Sequence, residues 1–277
     1  MTQPLMKNCR FGLIGHPIAH SLSPALFKAG YEGRYSYELI EGDDFEESYQ
    51  KFMDRYDGIN VTAPFKELAF AKADILSPEC KAVGATNLLV KTPQGVKAFN
   101  SDFLGVRMWL EEVAAREAAR FSYTERPSST NGSHPENMSV LVVGSGGAGK
   151  AAAAAAESLG MEVIRMNRTV RDEMTRPLDD FIECFREADI IIYNIPAAIP
   201  ALNKLADSDF TPVRPKFILE ANYKNPSFDE TLLKRMHKSD PLIRYTGGKT
   251  WLLYQAVTGY EIFTGEKPDL GRMSDVL

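Results

Sequence analysis

The chain has 277 residues, 44% of them hydrophobic and 25% charged, which is the balance of a globular fold long enough for two domains. Its formal charge of -5 argues against a nucleic-acid surface or a polybasic membrane patch, yet leaves small anions to a few local cations or backbone amides. No apolar run approaches the roughly 20 residues of a membrane span, and the first residues lack the apolar core of a secretory leader. Cys9, Cys80 and Cys184 are odd in number and far apart, so a disulfide framework is not expected and a reducing cytoplasm is.

In chain order, "RFGLIG" (10–15) predicts a strand, "SPALFKAGYEG" (23–33) a helix ending near glycine, and "YSYELI" (35–40) a second strand. "DDFEESYQKFMDRY" (43–56) predicts a helix with acids in its first turn, where they suit the helix dipole. "GINV" (58–61), "ATNLLV" (85–90) and "GVKAFN" (95–100) come next as strands. Strands separated by helices imply a largely parallel sheet covered on both faces. A long amphipathic helix is expected over 102–120, then an exposed, flexible loop over about 121–138, rich in Ser, Pro, Asn and Gly. "VLVVGSGGAGKAAAAAAESLG" (140–160) opens a fresh α/β unit, whose later strands are "MEVIRMNR", "ADIIIYN" and "KFILEAN". "GGKTWLLYQAVTGYEIFTG" (247–265) reads as a closing helix with a glycine stop.

Gly144, Gly146 and Gly149 stand in GxGxxG spacing directly after an apolar strand and before an alanine-rich helix. That context is the one a dinucleotide pyrophosphate needs: a tight turn, a close backbone approach, and free amides at a helix N-terminus. Gly147 and Ala148 belong to the same loop. An NAD site calls for a carboxylate at the end of the second strand, about 20 residues on. Here that strand ends in Asn167, Arg168 and Thr169. A guanidinium binds a 2′-phosphate that a carboxylate repels, so the cofactor expected is NADP rather than NAD.

Before residue 103, hydrogen-bonding residues gather at strand ends and loops: Ser21 and Ser23, Asn60 and Thr62, Lys66, Asn87, Asn100 and Asp102. In α/β sheets such positions line the ligand crevice, though each residue alone is equally a turn residue or cap. Lys66, two residues past Pro64 in "GINVTAPFK", is by itself either a solvated lysine or a base. As a set these residues suit a polyol, with two serines able to hold a carboxylate. No metal-ligand spacing appears. His16 and His20 are four apart, but Pro17 between them argues against one helical face.

The motifs "GHPIAHSLSP", "GINVTAPFK", "AVGATNLLV", "FNSDFLGV", "VVGSGGAGKA", "MNRT" and "LLYQA" occur in the order found in the shikimate dehydrogenases, and the chain resembles that family over nearly its whole length. The resemblance implies an α/β fold of two domains: an N-terminal α/β substrate domain and a Rossmann-type, doubly wound dinucleotide domain. Because the family's last helix returns to the substrate domain, the expected division is 1–102 with 247–277, and 103–246. The implied reaction is the reversible, NADP-dependent oxidation of shikimate to 3-dehydroshikimate, a step of aromatic amino acid biosynthesis. Carried over by motif, Ser21 and Ser23 hold the substrate carboxylate, and Asn60, Asn87 and Asp102 bind ring hydroxyls. Thr62, Tyr223 and Gln255 complete the pocket, Gly248 joins the cofactor contacts, and Lys66 with Asp102 forms the catalytic pair.

The chain departs from the family pattern at several points. Ser101 replaces a threonine in "FNSD", Lys150 comes after the third glycine, Asp172 stands where a second arginine is common, and Trp251 replaces a methionine. Rival readings are a quinate/shikimate dehydrogenase using NAD, a methylenetetrahydrofolate dehydrogenase, and a non-catalytic nucleotide-binding regulator. The expected partners are the small-molecule substrate and no nucleic acid or membrane, with the chain a monomer or homodimer.

Overall fold

A computed structural model describes residues 9–123, 138–170, 172–210 and 215–277. Most of the loop expected over 121–138 lies outside the described residues, as does Arg171. The chain divides into two compact units, residues 1–105 with 255–277 and residues 106–254.

The first unit begins with β1 (Arg10–Gly15), α1 (Ser23–Tyr31), β2 (Ser36–Glu41), α2 (Phe45–Arg55) and β3 (Gly58–Val61). It continues with α3 (Lys66–Lys72), β4 (Ile75–Leu76), α4 (Pro78–Val83), β5 (Leu88–Thr92) and β6 (Gly95–Phe99). Of these helices, α2 and α4 start where the sequence supplies an acceptor for free amides. Asp44 accepts from Glu47 N at 2.8 Å ahead of α2, and Ser77 caps α4. The strands order as β2-β1-β3-β5-β6-β4. All neighbours run parallel except β5, which is antiparallel to both β3 and β6. The expectation of a largely parallel sheet therefore needs one amendment. The stretch 88–99 is a hairpin, joined at Thr92–Gly95, and two strands linked so briefly can only pair antiparallel.

Between β6 and the second unit runs α5 (Ser101–Tyr123), and α9 (Gly248–Thr264) leads back; the division at 105/106 and 254/255 falls inside these helices. α10 (Leu270–Ser274) closes the chain. The first unit's core joins Ile14, Phe52, Ile59, Val61, Phe65 and Leu89. A second, aromatic cluster anchors the end of α9: Phe263 stacks on Phe11 at 4.8 Å, and Tyr260 meets Phe27 edge-on at 4.8 Å.

The second unit contains β7 (Ser139–Val143), α6 (Gly147–Glu157), β8 (Glu162–Asn167), β9 (Thr175–Pro177), α7 (Phe181–Glu187), β10 (Ile190–Tyr193), β11 (Phe217–Glu220), α8 (Glu230–Ser239) and β12 (Arg244–Thr246). Its sheet orders as β12-β11-β10-β7-β8-β9, with every described pair parallel. Strand order reverses between β10 and β7, so the crevice for a ligand opens past their carboxyl ends. The strands in the middle are almost wholly apolar ("VLVV", "IIIY", "FIL" before Glu220) because helices cover both faces of a parallel sheet. No helix among the described residues is long and apolar enough to cross a membrane.

Candidate active site

In the first unit, the antiparallel turn of β5 decides which residues meet. The carboxyl ends of β1, β3 and β6 and the amino end of β5 lie on one edge of the sheet. That edge carries the loop to Ser21 and Ser23 after β1, Asn60 to Lys66 at the end of β3, Asn87 before β5, and Asn100 to Asp102 after β6.

Lys66 is the first residue of α3 and Asp102 the second of α5. Lys66 Nζ donates to Asp102 Oδ2 at 2.6 Å; the side chains are 27% and 11% exposed, so the pair is partly but not wholly withdrawn from water. An aspartate in a helix's first turn also faces the positive end of the dipole.

The two asparagines are oriented by their partners. Asn87 Oδ1 accepts from Ser101 N at 2.7 Å and from Ser101 Oγ at 3.3 Å, so its amide nitrogen is the group it can offer a ligand. Ser101 Oγ reaches Gln255 Oε1 at 3.1 Å, which brings the last helix into the same network. Asn60 accepts from Tyr37 OH at 2.8 Å and donates to the Asn87 carbonyl at 3.4 Å. Ser21 Oγ donates to Ser23 Oγ at 3.1 Å. Thr62 lies one residue past β3 and is half-buried. Asn100, by contrast, is committed to structure: its Oδ1 caps α5 by accepting from Phe103 N, and its Nδ2 donates to Ala85 O.

The second unit holds the glycine loop. Gly144 has φ +96°, a conformation open to glycine, and a Cβ at Gly149 would sit 1.8 Å from the Gly144 carbonyl oxygen. Above Gly146 a Cβ would meet nothing within 4 Å, leaving the N-terminus of α6 open to a ligand. At the end of β10, Asn194 Oδ1 is buried without a hydrogen-bond partner while its Nδ2 donates to Ile192 O. A buried acceptor lacking a donor is costly, and it lies beside Gly144 at the strand-order reversal. These features fit a dinucleotide. Gly147 begins α6, and Ala148 lies in its first turn. Arg168 and Thr169 are exposed just past β8, with Asn167 Nδ2 donating to Thr169 O at 3.4 Å.

Tyr223 also belongs to the second unit, in the turn after β11. Gly248 is buried against that turn: a Cβ there would come within 2.5 Å of the Ala221 carbonyl oxygen. Glu220, fully buried, accepts from Tyr245 OH at 2.7 Å and from Phe228 N at 3.4 Å, tying down both ends of the turn. Trp251 is buried in the second unit. Among the described residues no cluster of potential metal ligands occurs.

Sequence reading passed over Tyr37 and Asn194. Asn194 had a legible signal, a polar residue ending an apolar strand of a doubly wound sheet. Tyr37 had none beyond the alternation of an ordinary strand.

Compared with known proteins, residues 13–89 match the profile of the shikimate dehydrogenase substrate binding domain. Residues 107–219 match the NAD binding domain of D-isomer specific 2-hydroxyacid dehydrogenases. The shikimate dehydrogenase (NADP(+)) of Thermus thermophilus is 27% identical over 96% of each chain. The crystal structure of Thermus thermophilus shikimate 5-dehydrogenase in complex with NADP(H) and shikimate superposes with a TM-score of 0.73 at 26% identity, covering 97% of this chain and 98% of that one. A quinate dehydrogenase from Corynebacterium glutamicum in complex with NAD shares the fold, with a TM-score of 0.73 at 21% identity over 97% and 98% of the chains.

Proposed function

Because the chain belongs to the shikimate dehydrogenase family, we propose that it catalyses the reversible, NADP-dependent oxidation of shikimate to 3-dehydroshikimate. In this reading the unit formed by residues 1–105 and 255–277 binds the substrate and residues 106–254 bind the dinucleotide. The observation that carries it is the ion pair of Lys66 with Asp102 at 2.6 Å, on the sheet edge that also holds Ser21, Ser23, Asn60 and Asn87.

Oxidation of a secondary alcohol releases the hydroxyl proton as the carbonyl forms. Lys66 Nζ takes that proton as the neutral amine, becoming the ammonium, and in the reverse direction the ammonium returns it to the carbonyl oxygen. Asp102 holds the lysine in place and offsets its charge, and its carboxylate orients the substrate hydroxyl. Ser21 and Ser23 donate to the substrate carboxylate, while Asn60 and Asn87 donate to ring hydroxyls, with Thr62, Tyr223 and Gln255 completing the contacts. The bound nicotinamide supplies the hydride acceptor. Gly144, Gly146, Gly147, Ala148 and Gly149 present amides to its pyrophosphate, Gly248 and Asn194 stand as further contacts, and Arg168, Asn167 and Thr169 receive the 2′-phosphate.

A non-catalytic regulator has no need of a closely paired lysine and aspartate. We place the enzyme in the reducing cytoplasm, where its cysteines stay as thiols, as a monomer or homodimer. The test is a steady-state assay of shikimate and quinate, each with NADP and with NAD. Turnover greatest with shikimate and NADP is expected; a preference for quinate with NAD would sink the assignment.

A further inference from the structure

One chain of hydrogen bonds in the first unit has a fixed direction. Its far end is a main-chain carbonyl, Asn87 O, which can only accept, so the Asn60 atom that reaches it at 3.4 Å is the amide nitrogen. Asn60 Oδ1 therefore faces Tyr37, and the phenol must donate across the 2.8 Å between them. The polarity thus runs Tyr37, Asn60, Asn87, without a conflict at either step.

The ring that carries this hydroxyl is held by packing. Tyr37 lies 4.9 Å from Phe27 and 5.8 Å from Tyr260, and Tyr260 OH donates to the Ser23 carbonyl at 3.0 Å. Ser23 and Tyr37 are thereby fixed to the same aromatic wall, so the phenol reaches Asn60 without freedom to swing. Burial also pushes the Tyr37 phenol well above its ordinary pKa, keeping it a donor at any working pH.

We infer that Tyr37 is a positioning residue for substrate recognition: it pins the Asn60 amide so that an N–H, rather than the carbonyl oxygen, faces the ligand. A side-chain amide left to itself presents either face, and only the N–H face donates to a ring hydroxyl oxygen. The hydroxyl subsite is therefore set before the ligand arrives. This inference rests on the shikimate reading of the site.

Tyr37→Phe keeps the ring and removes only the hydroxyl. The shikimate KM is expected to rise about tenfold, the loss appropriate to one hydrogen bond, with kcat and the NADP KM within about twofold of wild type. Because Tyr37 acts through Asn60, the double variant Tyr37→Phe with Asn60→Ala should bind shikimate no worse than Asn60→Ala alone. Asn60→Asp, which keeps an acceptor for the phenol but has no N–H to present, reads the same bond from the other end and should also raise the shikimate KM. An unchanged KM in Tyr37→Phe, additive losses in the double variant, or wild-type affinity in Asn60→Asp overturns the inference while leaving the enzyme a shikimate dehydrogenase. A wild-type enzyme that does not turn over shikimate overturns the underlying reading and the inference with it.

Discussion

Lys66 and Asp102 lie far apart in sequence and 2.6 Å apart in space, so replacing either removes the charge that this pair supplies to the other. Lys66→Ala should lower kcat by about 10²- to 10⁴-fold, the range for loss of a positioned proton carrier, with only a modest change in the shikimate KM. Steady-state kinetics decides this, and an undiminished kcat would remove Lys66 from the chemistry. Arg168 makes a different kind of prediction, since it contributes charge at an exposed strand end. Arg168→Ala should raise the NADP KM by about ten- to a hundredfold, as for a lost charged hydrogen bond, and leave the NAD KM nearly unchanged. Equal effects on both dinucleotides would mean that the 2′-phosphate is bound elsewhere.

At the scale of elements, the glycine loop allows no substitution at its third glycine. A methyl group at Gly149 would collide with the Gly144 carbonyl, so β7 and α6 would have to separate. Gly149→Ala is expected to cost at least about 1–3 kcal/mol and to weaken NADPH binding; calorimetry and fluorescence titration measure the two separately. Much of this level was legible in the amino-acid order. "VLVVGSGGAG" announces its strand, turn and helix because a phosphate loop needs small residues at fixed spacing. The start of α3 at Lys66 was not legible, because Pro64 marks a turn but not the element after it. Nor was the direction of β5, since alternation identifies a strand and is blind to which way it runs. In the candidate site, Ser21, Ser23, Asn60 and Asn87 stand out as polar residues at strand ends. The bond that Tyr37 makes to Asn60 depends on where β2 places a side chain that looks, in sequence, like any other aromatic in a strand. Asn100 shows the reverse case, a residue of the right type in the right motif whose amide is committed to a helix cap.

For the molecule as a whole, the tyrosines govern behaviour in base. Burial raises the phenols of Tyr31, Tyr37, Tyr245 and Tyr260, and pushes Tyr254, which also donates to Glu112, up to about 12. Below about pH 10 these groups are protonated in folded and unfolded chains alike, and their contribution to stability is fully present. As the pH climbs from about 10 towards 12, the unfolded chain releases protons that the folded one keeps, so stability falls across that window. Ultraviolet titration should show phenolate appearing together with loss of structure; free ionisation of every tyrosine in the intact fold would contradict it.

The hairpin of β5 and β6 has a practical corollary. Its tip, where Pro93 and Gln94 are exposed and Thr92 closes the turn onto Gly95 O at 2.8 Å, points away from the edge that gathers Asn87 and Asp102. A short epitope or a fluorophore-bearing peptide grafted between Pro93 and Gln94 should leave turnover intact, giving a tethering point for surface immobilisation or single-molecule work that does not disturb the reacting groups.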